Sequence, residues 1–298
     1  MDWTRLPLSR DTTDRAAHRR TDPDLVRDSW AAPGTRVVLV HGAAVATTAD
    51  RAALDLANPA EVADPGLVLF LGADESGDLM AVVREDPDPD RTWSGLRDCG
   101  HVMGDRDSGL ATTALALAAW HARHPCCSRC GAATEPALGG WTRRCPQDGS
   151  EHYPRTDPAV IMAITDADDR LLLAHGAAWP ERRFSTLAGY LEPGETPEHA
   201  VVREVAEETA VRVVDPQYRG SQPWPFPASL MLAYTARAVT TQITVDATEV
   251  TQAHWFSRAA LAAAVATGDV VLPTRTSVAR ALIEDWYGGP LDAGDAPR

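Results

Sequence analysis

No stretch of this chain restricts its fold as tightly as Gly189 to Val211. Its fixed points are Gly189, Glu195 after five residues, and then, after seven more, Arg203-Glu204-Val205, Glu207-Glu208 and Ala210-Val211. The second half predicts a helix from about Thr196. Thr196 caps it, Pro197 suits its first position, and Val201, Val202, Val205 and Ala206 supply an apolar stripe with no Gly or Pro to break it. Glu204, Glu207 and Glu208 then fall at i, i+3 and i+4, so their carboxylates converge on one face, and Arg203 stands beside them to hold one in place. Clustered anions repel unless a cation joins them, and hard oxygen ligands of this kind suit Mg2+ or Mn2+. A bare Glu-x-x-Glu-Glu is usually a solvated helix face. Here the preceding loop argues for a site, because Gly189 and Gly194 bracket Glu192-Pro193 in a turn that carries backbone carbonyls toward the acidic cluster.

Just beyond this segment, Gln222-Pro223-Trp224-Pro225-Phe226-Pro227-Ala228-Ser229 alternates prolines with large aromatics. Prolines at alternate positions favour an extended, polyproline-like backbone that presents both rings to a flat base. The competing reading is a proline-rich loop that packs its aromatics on the core.

Together the two segments resemble the NADH pyrophosphatase branch of the Nudix hydrolases, also known as NAD-capped RNA hydrolases. The resemblance runs over roughly residues 125 to 287, because a cysteine-rich segment precedes the box and Thr276-Ser277-Val278-Ala279-Arg280 follows it, both as in that branch. It implies a mixed α/β (α+β) chain: a Nudix α/β/α sandwich with a mixed sheet, preceded by a zinc-ribbon module and a sheet-containing N-terminal domain. Residue by residue, it implies catalytic-metal ligands at Glu204, Glu208, Glu249 and the backbone of Ala188, with Glu207 and Arg203 beside them. Tyr153 and Tyr190 fall around a nicotinamide ring, Gln222 to Ser229 along the dinucleotide, and the Ala279 backbone near the substrate. The implied reaction is attack of water on one phosphorus of NADH or NAD, giving nicotinamide mononucleotide and AMP, with the NAD-capped 5′ end of RNA as a further substrate. Glu207 or Glu208 takes the water's proton. The family has Gly where this chain has Ala210, Phe at Tyr190 and an acidic residue at Gly140. A homodimer is also implied, in which the ribbon region and Tyr153 complete a neighbour's site.

The cysteines read independently. Cys127-x2-Cys130 is followed after fourteen residues by Cys145-x2-Asp148, a zinc ribbon with one altered corner. Asp148 can serve as the fourth ligand, as can His152 or Cys126 if the loop bends; a metal-free ribbon held by packing is the alternative. Cys99 has no partner at a metal spacing and reads as a lone buried thiol or a solvent-side bystander. Thiols at ribbon spacing favour a reducing compartment, so a cytoplasmic protein is expected.

The net charge is -14, and all 28 basic residues are arginine. An acidic surface disfavours generic nucleic-acid binding without excluding a local arginine-lined path for a capped end. No run is long and apolar enough to span a membrane, and neither terminus reads as a targeting signal. Along the chain, strands are expected at 36–41, 67–71, 79–84, 160–164, 171–174, 230–234 and 243–245. Helices are expected at 108–124, capped by Ser108, and at 258–266 and 277–287, with a frayed end after Gly288. The expected division is 1–124, 125–155 and 156–298. Two other functions stay open: a Nudix pyrophosphatase for another nucleoside diphosphate derivative such as ADP-ribose, and an RNA-binding ribbon protein with a vestigial box.

Overall fold

The computed structural model describes residues 2–291. Contacts divide the chain into two compact units. One comprises the chain through Pro7, Asp157–Gln222 and the chain from Leu230 onward; the other comprises Leu8–Thr156 and Pro223–Ser229.

The second of these units begins with α1 (Leu25–Ala31) and a sheet built from β1 (Arg36–His41), β2 (Ala44–Thr47), β3 (Leu67–Asp74), β4 (Gly77–Val83) and β5 (Thr92–Gly95), in the order β3-β4-β1-β2-β5. β1 lies parallel to β4 and the other neighbours pair antiparallel. β1 is apolar on both faces: Val38 and Val40 join one core cluster, Val37 and Leu39 another, as a strand with period-two side chains covered on both sides requires. A short α2 (Leu96–Cys99) leads to α3 (Asp105–Arg123), whose Leu110, Ala114, Leu115 and Leu117 complete the first cluster. Gly104, not Ser108, stands at the N-cap of α3; Ser108 is buried inside the helix, where its carbonyl accepts a bond from the Thr112 hydroxyl at 2.7 Å. Cys99 is fully buried, which selects the buried thiol over the solvent-side position. The ribbon follows as β6 (Glu135–Ala137), β7 (Thr142–Arg144) and β8 (Glu151–His152).

The other unit is an α/β/α sandwich. Its strands are β9 (Asp157–Thr165), β10 (Leu171–Gly176), β11 (Leu187–Tyr190), β12 (Val213–Trp224), β13 (Ser229–Ala238) and β14 (Val250–Phe256), in the order β12-β13-β9-β10-β14, with β11 paired to β9. The helices are α4 (Pro197–Thr209), α5 (Arg258–Thr267) and α6 (Val278–Tyr287). The layers follow from alternation. Val160, Met162 and Ile164 of β9 pack with Ala200, Val201 and Val205 of α4, whereas Ile161 and Ala163 pack with Leu261, Leu282 and Ile283 of α5 and α6. Ser257 and Ser277 cap α5 and α6.

Three further expectations are corrected. Residues 243–245 form no strand: the Thr244 amide donates to the carbonyl of Thr209 at 2.9 Å, at the end of α4, and the neighbouring strand is β14. The proline-aromatic segment is not extended; residues 225–228 turn between β12 and β13. The end after Gly288 is not frayed as far as Leu291, which is buried and accepts a bond at its carbonyl from Arg280 Nη2 at 2.6 Å. Residues 292–298, on which the rest of that expectation falls, lie outside the described residues.

Candidate active site

α4 starts as its sequence dictates. Thr196 accepts a bond from the His199 amide at 3.4 Å and Pro197 takes the first turn. At the other end Ala210 adopts φ 58° and ψ 10°, and its amide donates to Ala206 O at 2.9 Å. This is the left-handed cap that the family fills with Gly, held here by a residue with a Cβ at a cost of about 1 kcal/mol.

The helix aims Glu204 and Glu208 inward, to 9% and 8% exposure, and leaves Glu207 exposed. Gly189 on β11 makes room: a Cβ there would come within 1.9 Å of the Glu204 carboxyl carbon. Arg203 organises the cluster. Its Nε and Nη2 donate to the two oxygens of Glu195, each at 2.8 Å; Nη1 donates to Glu204 at 2.8 Å and to Glu207 at 3.0 Å; Nη2 also reaches the Tyr190 carbonyl at 2.9 Å. That bidentate pair holds the Glu195 carboxyl down at about 2 and raises Arg203 further above its ordinary range. Burial raises Glu204 despite Arg203.

Glu208 has no such partner. Burial, reinforced by the charges of Glu204, Glu249, Asp246 and Glu207, pushes its carboxyl up to about 8, and one of its oxygens is buried with no hydrogen bond. A buried carboxylate oxygen without a donor, in a ring of like charges, is the chemistry of a site for a hard divalent cation. Glu249 is exposed and belongs to a turn that Asp246 builds: the Asp246 carboxylate accepts the amides of Thr248, Glu249 and Val250 at 3.1, 2.9 and 2.9 Å, while its own amide donates to the Glu208 carbonyl at 3.3 Å. Sequence reading missed Asp246 as a site residue and missed the clamp role of Glu195. The Asx-turn pattern Asp-Ala-Thr-Glu was the available signal for the first.

The substrate residues are placed unequally. Tyr153 and Tyr190 are exposed by 65% and 53%. Gln222 is buried, with Nε2 donating to the Thr276 carbonyl at 3.0 Å, and Ala279 is buried with its amide on the Ser277 hydroxyl at 3.2 Å. Trp224 and Phe226 form an edge-to-face pair at 5.0 Å, partly buried on the core of their own unit, that of Leu8–Thr156 and Pro223–Ser229, under the Arg97 guanidinium, which lies 4.4 Å from the Phe226 centroid. Gly140 sits at φ +87°, a conformation that strains any residue with a side chain, and a Cβ there would meet Leu69 Cδ2 at 2.4 Å.

At the ribbon, ligand atoms of Cys127, Cys130, Cys145 and Asp148 all lie within 4.8 Å of one another. Backbone bonds from Gly131 to Cys127 O and from Gly149 to Cys145 O, at 2.9 and 3.0 Å, form the two knuckles. The Ser150 hydroxyl and amide both donate to Asp148 Oδ1, leaving Oδ2 3.6 Å from Cys127 Sγ. Three thiols and the second oxygen of Asp148 at this spacing fit tetrahedral zinc, and neither Cys126 nor His152 belongs to the group.

The NUDIX domain family matches residues 155–274, and the NADH pyrophosphatase zinc ribbon domain matches residues 122–153. The chain is 40% identical over 296 residues to the NAD-capped RNA hydrolase NudC of Mycobacterium bovis, covering 94% of each chain. It is 42% identical over 204 residues to the NAD-capped RNA hydrolase NudC of Deinococcus radiodurans, covering 67% of this chain and 70% of that one. To the NAD-capped RNA hydrolase NUDT12 of Pongo abelii it is 39% identical over 196 residues, covering 62% of this chain and 42% of that one.

Proposed function

This chain belongs to the NAD-capped RNA hydrolases of the Nudix family, and from that premise we propose that it hydrolyses the diphosphate of NADH and NAD to nicotinamide mononucleotide and AMP and removes NAD from the 5′ end of capped RNA. The observation that carries the reading is the buried, donorless oxygen of Glu208 beside Glu204 in the turn-and-helix frame of the box.

Glu204, Glu208, Glu249 and the Ala188 backbone would hold Mg2+ or Mn2+. Such a cation, when bound, offsets charge on the diphosphate and lowers the pKa of a water. The protein's own part is to fix and desolvate the carboxylates. Arg203 locks Glu204 and Glu207 to Glu195, Gly189 lets the Glu204 carboxylate lie against the strand, and Asp246 sets the turn that carries Glu249. Glu207 or Glu208 receives the proton of the attacking water. Tyr153 and Tyr190 offer exposed rings to the nicotinamide, with Gln222 to Ser229 and the Ala279 backbone along the dinucleotide. Cys127, Cys130, Cys145 and Asp148 would hold a structural zinc.

We divide the chain functionally into 1–124, the ribbon at 125–155 and the hydrolase at 156–298. We place it in the cytoplasm as a homodimer, because thiols at ribbon spacing need a reducing compartment and twofold pairing is the commonest assembly. No helix among the described residues is long and apolar enough to cross a membrane. One observation favours a second reading, hydrolysis of ADP-ribose or a similar nucleoside diphosphate derivative: Trp224 and Phe226 are packed rather than presented. Product analysis with NADH, NAD and ADP-ribose, each with Mg2+ or Mn2+, separates the two. Release of AMP and nicotinamide mononucleotide supports the first, and cleavage of ADP-ribose alone supports the second.

A further inference from the structure

We propose that Trp179 is a stacking surface for one base of the dinucleotide, set at the edge of the carboxylate cluster; the inference rests on the diphosphate-hydrolase reading above. Trp179 is 38% exposed and belongs to none of the hydrophobic clusters among the described residues. It sits in the loop that joins β10 to β11, and both stems of that loop border the cluster. On the β10 side, Gly176 pairs with Val250, and the Ala177 amide donates to the carbonyl of Glu249 at 2.8 Å. On the β11 side, the chain runs into Ala188 and into Gly189, against which the Glu204 carboxylate lies.

The loop is braced at each level. Ala174 and Ser185 exchange two backbone bonds of 2.9 Å, and His175 Nδ1 pairs with the Arg183 carbonyl at 2.9 Å. The Trp179 amide donates to Gly176 O at 3.0 Å, and the Arg183 amide donates to Pro180 O at 3.2 Å. The indole is seated as well. A Cβ on Gly176 would come within 3.0 Å of its Cε2, so the ring rests on bare backbone, and the Arg183 guanidinium carbon stands 5.3 Å from its centroid. An aromatic held this way has little freedom left to lose when a base stacks on it.

The test is steady-state hydrolysis of NADH by the wild type and by Trp179→Ala, Trp179→Leu and Trp179→Phe. Loss of one base–aromatic stack raises KM by about 5- to 100-fold in the Ala and Leu variants, with kcat moving less than about threefold, and Phe restores most of the loss. The Leu variant keeps an apolar contact on Gly176, so it separates stacking from packing. A wild-type KM in Trp179→Leu, or a fall in kcat at unchanged KM, overturns the inference while leaving the proposed activity intact. A wild type that does not cleave NADH overturns both.

Discussion

At the ribbon, four ligand atoms lie within 4.8 Å of one another; around α4, Arg203 holds Glu204, one oxygen of Glu208 is buried without a donor, and Glu249 is exposed. The difference follows from charge. Thiols can be neutral and pack together before an ion arrives, and Ser150 satisfies one oxygen of Asp148. Carboxylates repel, so Arg203 is spent on Glu195, Glu204 and Glu207, and Glu208 is left with an unpaired oxygen. A closed, thiol-rich set suits a structural ion, and an open acidic set suits one that must also accept substrate and water.

The largest effect separates the two sites by function. Glu208→Gln lowers NADH hydrolysis by on the order of 10^2- to 10^4-fold while zinc content stays unchanged. Comparable loss of zinc in that variant would mean that the sites are not independent. Next, Cys127→Ser abolishes zinc binding, read by metal analysis, and lowers the melting temperature by roughly 5–10 °C; an unchanged melting temperature would point to a ribbon held by packing alone.

A pH series sharpens the contrast. Glu208 rises from its ordinary 4.5 to about 8 in the folded protein. The folded state therefore binds that proton more tightly than the unfolded one, and the metal-free protein loses stability as pH rises from about 4.5 to about 8. Mg2+ binds the ionised form, so the rise in melting temperature it produces should be larger at pH 8 than at pH 5.5 and absent in Glu208→Gln. A rise of equal size at both pH values contradicts this account of the cluster. The smallest effect is Ala210→Gly, which relieves the left-handed cap and stabilises by about 1 kcal/mol in urea unfolding.

Much of this was legible in the sequence because local rules and global fold agree. Thr196, Pro197 and the Val201/Val205 stripe set α4, and alternation along Val160 to Ile164 sets β9 and its two faces. What escaped reading lay where local signals mislead. No strand was expected at 213–224, where Asp215 sits at φ 56° and Pro216 follows it inside the long strand β12. Alternation at 243–245 imitates a strand, but Thr244 is claimed by the end of α4. Prolines around Trp224 and Phe226 suggested an extended backbone, whereas burial of the two rings against an apolar core outweighs that preference and the chain turns. Asp246 acts through backbone amides and a field on Glu208, which no residue pattern displays directly.

The most direct test is analysis of the products formed from NADH with Mg2+ or Mn2+, using Glu208→Gln as the control. The account predicts AMP and reduced nicotinamide mononucleotide from the wild type and almost none from the variant. No cleavage by the wild type, or equal cleavage by both proteins, would contradict it.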